Sequence, residues 1–128
     1  MDETNALLRV LVIDDDPIYL HLVETFLSRL PCEVKLIQNN LDVLPYVRDN
    51  PVDLCFMDLV MPEMGGVALT RMIRHDLGKT FPIVAVSAYY LTPAGEECRE
   101  AGMDGFLQKP VCFADVQNVV SIHMKCKG

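Results

Sequence analysis

Four short apolar runs in this 128-residue chain end in charged or hydroxyl side chains, and these residue types suit a metal ion together with an oxygen-rich anion. The side chains are those of Asp14 and Asp15, Asp58, Ser87 and Lys109. Asp is disfavoured inside buried strands and is rarely buried without a partner. A carboxylate at the end of an apolar run therefore indicates a site.

The three carboxylates would repel one another if the fold brought them together, and each would raise the pKa of the others. A divalent cation would relieve this repulsion, and oxygen ligands of this kind suit Mg²⁺ or Mn²⁺. Lys109 and Ser87 opposite the ion would suit a phosphoryl group. Asp58 could then act as a carboxylate nucleophile and form an acyl phosphate, with the charge of the transferring group neutralised by the metal and Lys109.

The elements that must position these side chains alternate along the chain. Apolar runs predict strands at 8–13, 33–37, 53–58, 82–87 and 105–108. Helical spacing and turn residues predict helices at 17–30, 41–48, 66–76, 93–101 and from 113 onwards. Asp16 as N-cap and Pro17 at the first position begin the first helix. Pro45 fits the first turn of the second helix, with Asn39, Asn40 or Asp42 as possible caps. This alternation predicts one α/β domain whose parallel strands end at a common edge.

Composition limits the classes of partner. The formal net charge of −7 argues against direct nucleic-acid binding, because phosphate backbones need a basic patch. The five cysteines form no Cys-x-x-Cys pair, which predicts free thiols in a reducing compartment and hence a cytoplasmic location. No signal peptide or spanning segment is visible, so we expect no membrane insertion.

Four motifs follow one another along the chain: Val12-Ile13-Asp14-Asp15-Asp16-Pro17, the stretch 56–66, Val86-Ser87-Ala88 and Gln108-Lys109-Pro110. In this order and spacing they resemble the receiver domain of two-component response regulators. The resemblance covers about residues 8–124 and implies a doubly wound, flavodoxin-like (βα)5 fold with helices on both faces and strands in the order 2-1-3-4-5. It implies a single receiver domain over 1–128 with no output domain.

The resemblance also implies a role for each site residue. Asp58 accepts phosphate from the phosphohistidine of a histidine kinase or phosphotransfer protein. Asp14, Asp15, Asp58 and the backbone carbonyl of Val60 bind Mg²⁺, while Ser87 and Lys109 contact the phosphoryl group. Phe106 takes the aromatic switch position and is coupled to Ser87, and the readout face is the fourth helix, fifth strand and fifth helix. The peptide bond Lys109-Pro110 is a candidate for the cis form. Such a protein is a signalling phosphoacceptor that catalyses only its own phosphorylation and dephosphorylation.

Two positions control water access to the acyl phosphate in this family, and here they are Val60 and Tyr89. Both are bulky, and Val60 cannot orient a water nucleophile. We therefore expect slow self-hydrolysis. The docking surface for a kinase or phosphotransfer helix is expected near Ile18 and the loop 110–112.

Other functions remain open at this level. A metal-dependent phosphatase or phosphotransferase with a haloacid-dehalogenase-like mechanism would need a second Asp at the position of Val60. It would also need a substrate cap. A flavodoxin-like cofactor binder would need a phosphate loop after the first strand. The chain could be a stand-alone regulator, which its start at Met1-Asp2 favours, or a receiver cut from a hybrid histidine kinase. The sequence does not identify the downstream protein.

Overall fold

A computed structural model describes residues 7–62, 64–88 and 92–127, with side chains except those of 92–95 and 125–127. Five parallel strands form one sheet in the order β2-β1-β3-β4-β5, as predicted. The strands are β1 (Leu8–Ile13), β2 (Cys32–Ile37), β3 (Leu54–Asp58), β4 (Ile83–Ser87) and β5 (Gly105–Gln108). The helices are α1 (Pro17–Leu27), α2 (Val43–Asp49), α3 (Gly66–His75), α4 (Thr92–Ala101) and α5 (Phe113–Lys127).

Burial along the strands follows their positions in the sheet. Every residue of β3 and β4 is buried, and β1 is buried at all but one position. The edge strands β2 and β5 instead alternate between partly buried and exposed residues over most of their length. Strands covered on both faces need apolar residues at successive positions, which is why the central strands are continuous hydrophobic runs in the sequence.

Two apolar clusters lie on opposite faces of the sheet. One contains Leu20, Val23 and Leu27 of α1 with Val116 and Val120 of α5, packed against the β1 face that carries Val10 and Val12. The other joins residues of α2, α3 and α4 to the face that carries Leu11 and Ile13. The helices therefore cover both faces, and the predicted doubly wound architecture is confirmed. Within the described part of the chain, no helix is long and apolar enough to cross a bilayer.

The helix ends differ from the predicted ones by small amounts with clear causes. A 3-10 turn at Asn40–Asp42 precedes α2, so the α-helix begins at Val43 and Pro45 falls in its first turn. The Asn39 side chain accepts from the Leu41 N–H and caps this turn. Beyond α3, Gly78 has a φ of +64°, a conformation that favours glycine. The Lys109-Pro110 peptide bond is cis, as expected.

Candidate functional site

Three carboxylates meet at the carboxyl edge of the sheet. The Ile13↔Met57 pairing of β1 with β3 makes Asp14 and Asp58 neighbours on adjacent strands. One carboxylate oxygen from each of Asp14, Asp15 and Asp58 lies within 4.8 Å of the others. Asp14 is only 2% exposed and Asp58 only 5%. The predicted acidic cluster therefore exists, and two of its members lie away from solvent.

The turn after β1 is held by the aspartates themselves. Asp14 Oδ1 accepts from the Asp16 N–H at 3.0 Å, which orients the Asp14 carboxylate. Asp16 Oδ1 accepts from the Ile18 N–H at 3.0 Å, and Pro17 takes the first helical position. Asp16 is thus the N-cap of α1, as predicted, and stands apart from the acidic cluster.

Lys109, the residue that follows the edge strand β5, brings a positive charge into this cluster. Its Nζ donates to Asp14 Oδ2 at 2.9 Å and lies 3.6 Å from Asp58 Oδ1. Its backbone N–H donates to the Ser87 carbonyl at 2.8 Å, which fixes the start of the β5–α5 loop against the end of β4. Two buried carboxylates therefore share one ammonium.

The electrostatics of the site favour a bound cation. Burial, followed by the negative charge of Asp14, raises the pKa of Asp58 from 3.8 to about 6, although Lys109 acts in the opposite direction. Burial alone would lower the pKa of Lys109, but its hydrogen bond to Asp14 and the nearby charges outweigh burial, and the net shift is upward. Clustered carboxylate oxygens with one accessible side suit a hard divalent cation, which would relieve the repulsion.

The loop after Asp58 is shaped by residues on both sides of it. The Val60 N–H reaches Asp58 Oδ1 at 3.4 Å, a long contact, and the Val60 side chain is 59% exposed. The Gly66 N–H donates to the Leu59 carbonyl at 3.0 Å. A Cβ on Gly66 would collide with the Asp58 carbonyl oxygen, so the close approach of α3 to β3 requires glycine.

Asn40 is a site-shaping residue that the sequence reading missed. Its buried side-chain amide donates to the Pro62 carbonyl and, at 2.8 Å, to the Met64 carbonyl. These bonds fasten the β3–α3 loop to the turn after β2. Sequence reasoning treated Asn39 and Asn40 alike, as possible helix caps. The signal that separates them is their partner across the chain, which a local pattern does not contain.

Of the two expected switch residues, only Ser87 lies at the carboxyl end of the sheet. Ser87 closes β4, the strand next to β3, and is 1% exposed. Phe106 lies earlier in its strand, paired with Ala85 in the register of β4 and β5, and is 36% exposed. Tyr89, the second expected water-access position, lies outside the described residues.

The predicted docking surface exposes apolar groups at Ile18, Pro110 and Cys112, but not at Val111. Ile18 is 80% exposed at the start of α1. In the loop 110–112, however, Val111 is buried and Cys112 is exposed. Val111 belongs to the apolar cluster beneath α1 and α5, so it serves the core and is not open to a partner.

Comparisons with known proteins identify the family. A family model of the response regulator receiver domain matches residues 10–121. Sensor histidine kinase RcsC of Salmonella typhi is 34% identical over 121 residues, covering 94% of this chain and 13% of that protein. The osmosensing histidine protein kinase SLN1 of Saccharomyces cerevisiae is 32% identical over 117 residues, covering 86% of this chain and 10% of that protein. The chain thus spans a small part of the length of these relatives.

Solved structures agree with the fold. The receiver domain of the Francisella response regulator 1452 has a TM-score of 0.86 at 24% identity, covering 94% of this chain and 98% of that chain. The receiver domain of sensor histidine kinase PA1611 from Pseudomonas aeruginosa has a TM-score of 0.83 at 28% identity, covering 93% and 98%. That structure holds a magnesium ion coordinated in its active site cleft.

These matches give no support to the haloacid-dehalogenase-like alternative, because they are to receiver domains and to histidine kinases. The strand order, the acidic cluster and the family match over residues 10–121 point the same way. This chain belongs to the response regulator receiver domain family, the signalling domains of two-component systems.

Proposed function

We propose that this receiver is a phosphoacceptor switch in which Asp58 takes a phosphoryl group from the phosphohistidine of a histidine kinase or histidine phosphotransfer protein. The observation that carries the proposal is the position of Lys109 Nζ, 2.9 Å from Asp14 Oδ2 and 3.6 Å from Asp58 Oδ1. A phosphoryl group on Asp58 would have this fixed positive charge beside its oxygens. Phosphoryl transfer depends chiefly on such positioning and charge neutralisation.

Asp14, Asp15 and Asp58 would hold Mg²⁺, together with the backbone carbonyl of Val60. The fit is supported by carboxylate oxygens within 4.8 Å of one another and by the raised pKa of Asp58, which arises first from burial and second from the negative charge of Asp14. When bound, the ion would supply positive charge to the phosphoryl oxygens. Mn²⁺ has similar ligand preferences and would serve the same residues.

The chemistry assigned to the chain itself is nucleophilic. A carboxylate oxygen of Asp58 attacks phosphorus, the P–N bond to the donor imidazole breaks, and an acyl phosphate forms on Asp58. Asp58 must be ionised to attack, and a pKa of about 6 leaves it largely ionised at neutral pH. Lys109 and the Ser87 hydroxyl would then contact the new phosphoryl oxygens.

The output would be a conformational shift of the α4-β5-α5 face. Ser87 would move towards the phosphoryl group and Phe106 would swing inward. The exposed position of Phe106, which is paired in register with the small residue Ala85, supports an inactive starting state. Phosphate would thus bias two conformations that exist beforehand.

Partners and location follow from the same proposal. The phosphate donor would be a histidine kinase or phosphotransfer protein. A downstream protein would respond to the phosphorylated chain. With a net charge of −7, the chain is proposed to act without binding nucleic acid directly. It is also proposed to work in the cytoplasm.

Incubation with acetyl phosphate tests the proposal. With Mg²⁺ we expect one phosphate per chain by intact mass, and with excess chelator we expect very little. The Asp58→Asn variant should take up none, whereas the exposed-site control Asp76→Asn should match wild type. Multiple turnover of unrelated phosphate esters would instead indicate a phosphatase and would overturn the proposal, as would uptake by the Asp58→Asn variant.

A further inference from the structure

We propose that Tyr19 is a positioning residue that holds the Lys109 ammonium over the site, an inference that rests on the phosphoryl-contacting role proposed for Lys109. The Tyr19 ring lies beneath Lys109 Nζ, with 4.2 Å between the nitrogen and the ring centroid. The Tyr19 hydroxyl accepts from the Val111 N–H at 3.1 Å. Tyr19 thus touches both the lysine and the loop that follows it.

Tyr19 reaches this place because of the turn that positions Asp14. Asp16 caps α1 and Pro17 begins it, which places Tyr19 in the first turn of the helix. The side chain is partly buried and lines a small cavity together with Asp14, Asp58 and Val111. The segment from Asp14 to Tyr19 therefore supplies two members of the acidic cluster and the aromatic ring that contacts the Lys109 ammonium.

A flexible lysine needs such a platform once its carboxylate partners are engaged elsewhere. Lys109 has four rotatable side-chain bonds, and its ammonium contacts the carboxylates of Asp14 and Asp58. Both carboxylates are proposed metal ligands, and Asp58 is also the proposed site of the acyl phosphate. An attraction to an aromatic face does not use those oxygens. The Tyr19 ring therefore keeps the ammonium in place while its anionic partners change.

The ring and the hydroxyl of Tyr19 have separable tasks. The ring acts on Lys109 through its face, and the hydroxyl acts on the backbone of Val111. Tyr19→Phe keeps the first contact and removes the second. Tyr19→Leu removes both and leaves an apolar side chain. Val23→Ala serves as the control for packing, because Val23 is buried one turn further along α1 in the same apolar cluster.

The first test measures the initial rate of acetyl phosphate-dependent phosphorylation with Mg²⁺. We expect Tyr19→Leu to lose about three- to tenfold in rate and Tyr19→Phe to stay within about twofold of wild type. Val23→Ala should lose stability to urea and keep its rate. If Tyr19→Leu phosphorylates like wild type, or if Tyr19→Phe falls as far as Tyr19→Leu, the positioning role is wrong.

A second test asks whether Tyr19 acts through Lys109. In a Lys109→Gln background, adding Tyr19→Leu should change the rate by less than about twofold, because the group that the ring positions is already gone. An undiminished three- to tenfold loss in that background would overturn the inference. Wild type is measured alongside, so absence of phosphorylation there would refute the proposed function and not merely the role of Tyr19.

A third measurement needs neither metal nor phosphate and covers the case of a poorly folded variant. Protons on Lys109 Cε, next to the ammonium above the ring, should resonate upfield of the other lysines in a ¹H–¹³C spectrum of wild type and of Tyr19→Phe. The Tyr19→Leu spectrum should lack this shift while keeping dispersed methyl signals. A Lys109 signal at the ordinary lysine position in wild type would contradict the contact itself.

Discussion

The ammonium nitrogen of Lys109 lies 2.9 Å from Oδ2 of Asp14, a residue 95 positions earlier in the chain. This hydrogen bond joins the end of β5 to the end of β1, although β3 and β4 lie between these strands in the sheet. Two side chains whose strands are separated by two others can meet only at the carboxyl end of the sheet, where all the strands end. The contact also means that Lys109 and a divalent cation would compete for the same carboxylate.

Lys109→Met is expected to tighten Mg²⁺ binding by about tenfold, because a unit positive charge is removed within a few ångströms of the ion. The same variant should phosphorylate more slowly. Titration calorimetry measures the affinity, and Lys35→Met, on an exposed position of β2, is the matched control that should leave it unchanged. Unchanged or weaker Mg²⁺ binding by Lys109→Met would contradict the competition.

Asp58→Asn is expected to stabilise the metal-free protein at pH 7.5 by about 1–3 kcal/mol. The pKa of Asp58 is about 6 in the folded state and 3.8 as the reference value. A raised carboxyl pKa means that the folded state binds the proton more tightly, so ionisation of Asp58 costs stability as pH rises from about 4 to about 6. The advantage of Asn should therefore grow across this window and then level off.

Urea unfolding in the presence of a chelator measures this effect at pH 5 and pH 7.5. The exposed variant Asp76→Asn is the control and should change stability by less than about 0.5 kcal/mol at both values. An Asp58→Asn protein that is less stable than wild type at pH 7.5 would show that the buried carboxylate is fully compensated by Lys109.

Val60→Asn is expected to speed loss of phosphate from phosphorylated protein by about tenfold or more. The wild-type side chain is 59% exposed and apolar, so it can cover the acyl phosphate but cannot orient water, whereas an amide can. Phosphate release after removal of acetyl phosphate gives the rate, and Val60→Leu is the control for bulk. Equal or slower loss from Val60→Asn would discard the shielding hypothesis.

Asn40→Ala is expected to cost about 1–3 kcal/mol of stability, because the Pro62 and Met64 carbonyls lose their donor in a partly buried place. The neighbouring Asn39→Ala removes only an exposed cap of a short 3-10 turn and should cost less. Denaturant midpoints compare the two. A larger loss from Asn39→Ala would show that the loop does not depend on Asn40.

The sheet and its edge were predictable because they follow from short-range patterns. Buried strands are visible as continuous apolar runs, and the alternation of strands with helices requires their carboxyl ends to meet. Asp14 and Asp15 are the first polar residues after one such run. Asp58 is the last residue of another. A parallel sheet places these residues and Lys109 at one end, whereas the strand order that makes β1 and β3 neighbours was implied by the resemblance to receiver domains.

Contacts made by side chains across the chain were not predictable in this way. Nothing in the sequence around Tyr19 indicates that its ring lies beneath Lys109, because helical spacing marks only which face of α1 is covered. The same holds for Asn40, whose neighbour Asn39 has the same side chain and a different task. Val111 was expected to be open to a partner but is buried, since an apolar residue in a loop can equally belong to the core.

Borohydride trapping shows whether Asp58 carries the phosphate. Sodium borohydride reduces an aspartyl phosphate to homoserine, which tandem mass spectrometry can locate in the peptide. After incubation with acetyl phosphate and Mg²⁺, we expect homoserine at position 58 and at no other aspartate. Homoserine at Asp14 or Asp15, or an unmodified residue 58 in a protein that has gained phosphate, would contradict this expectation.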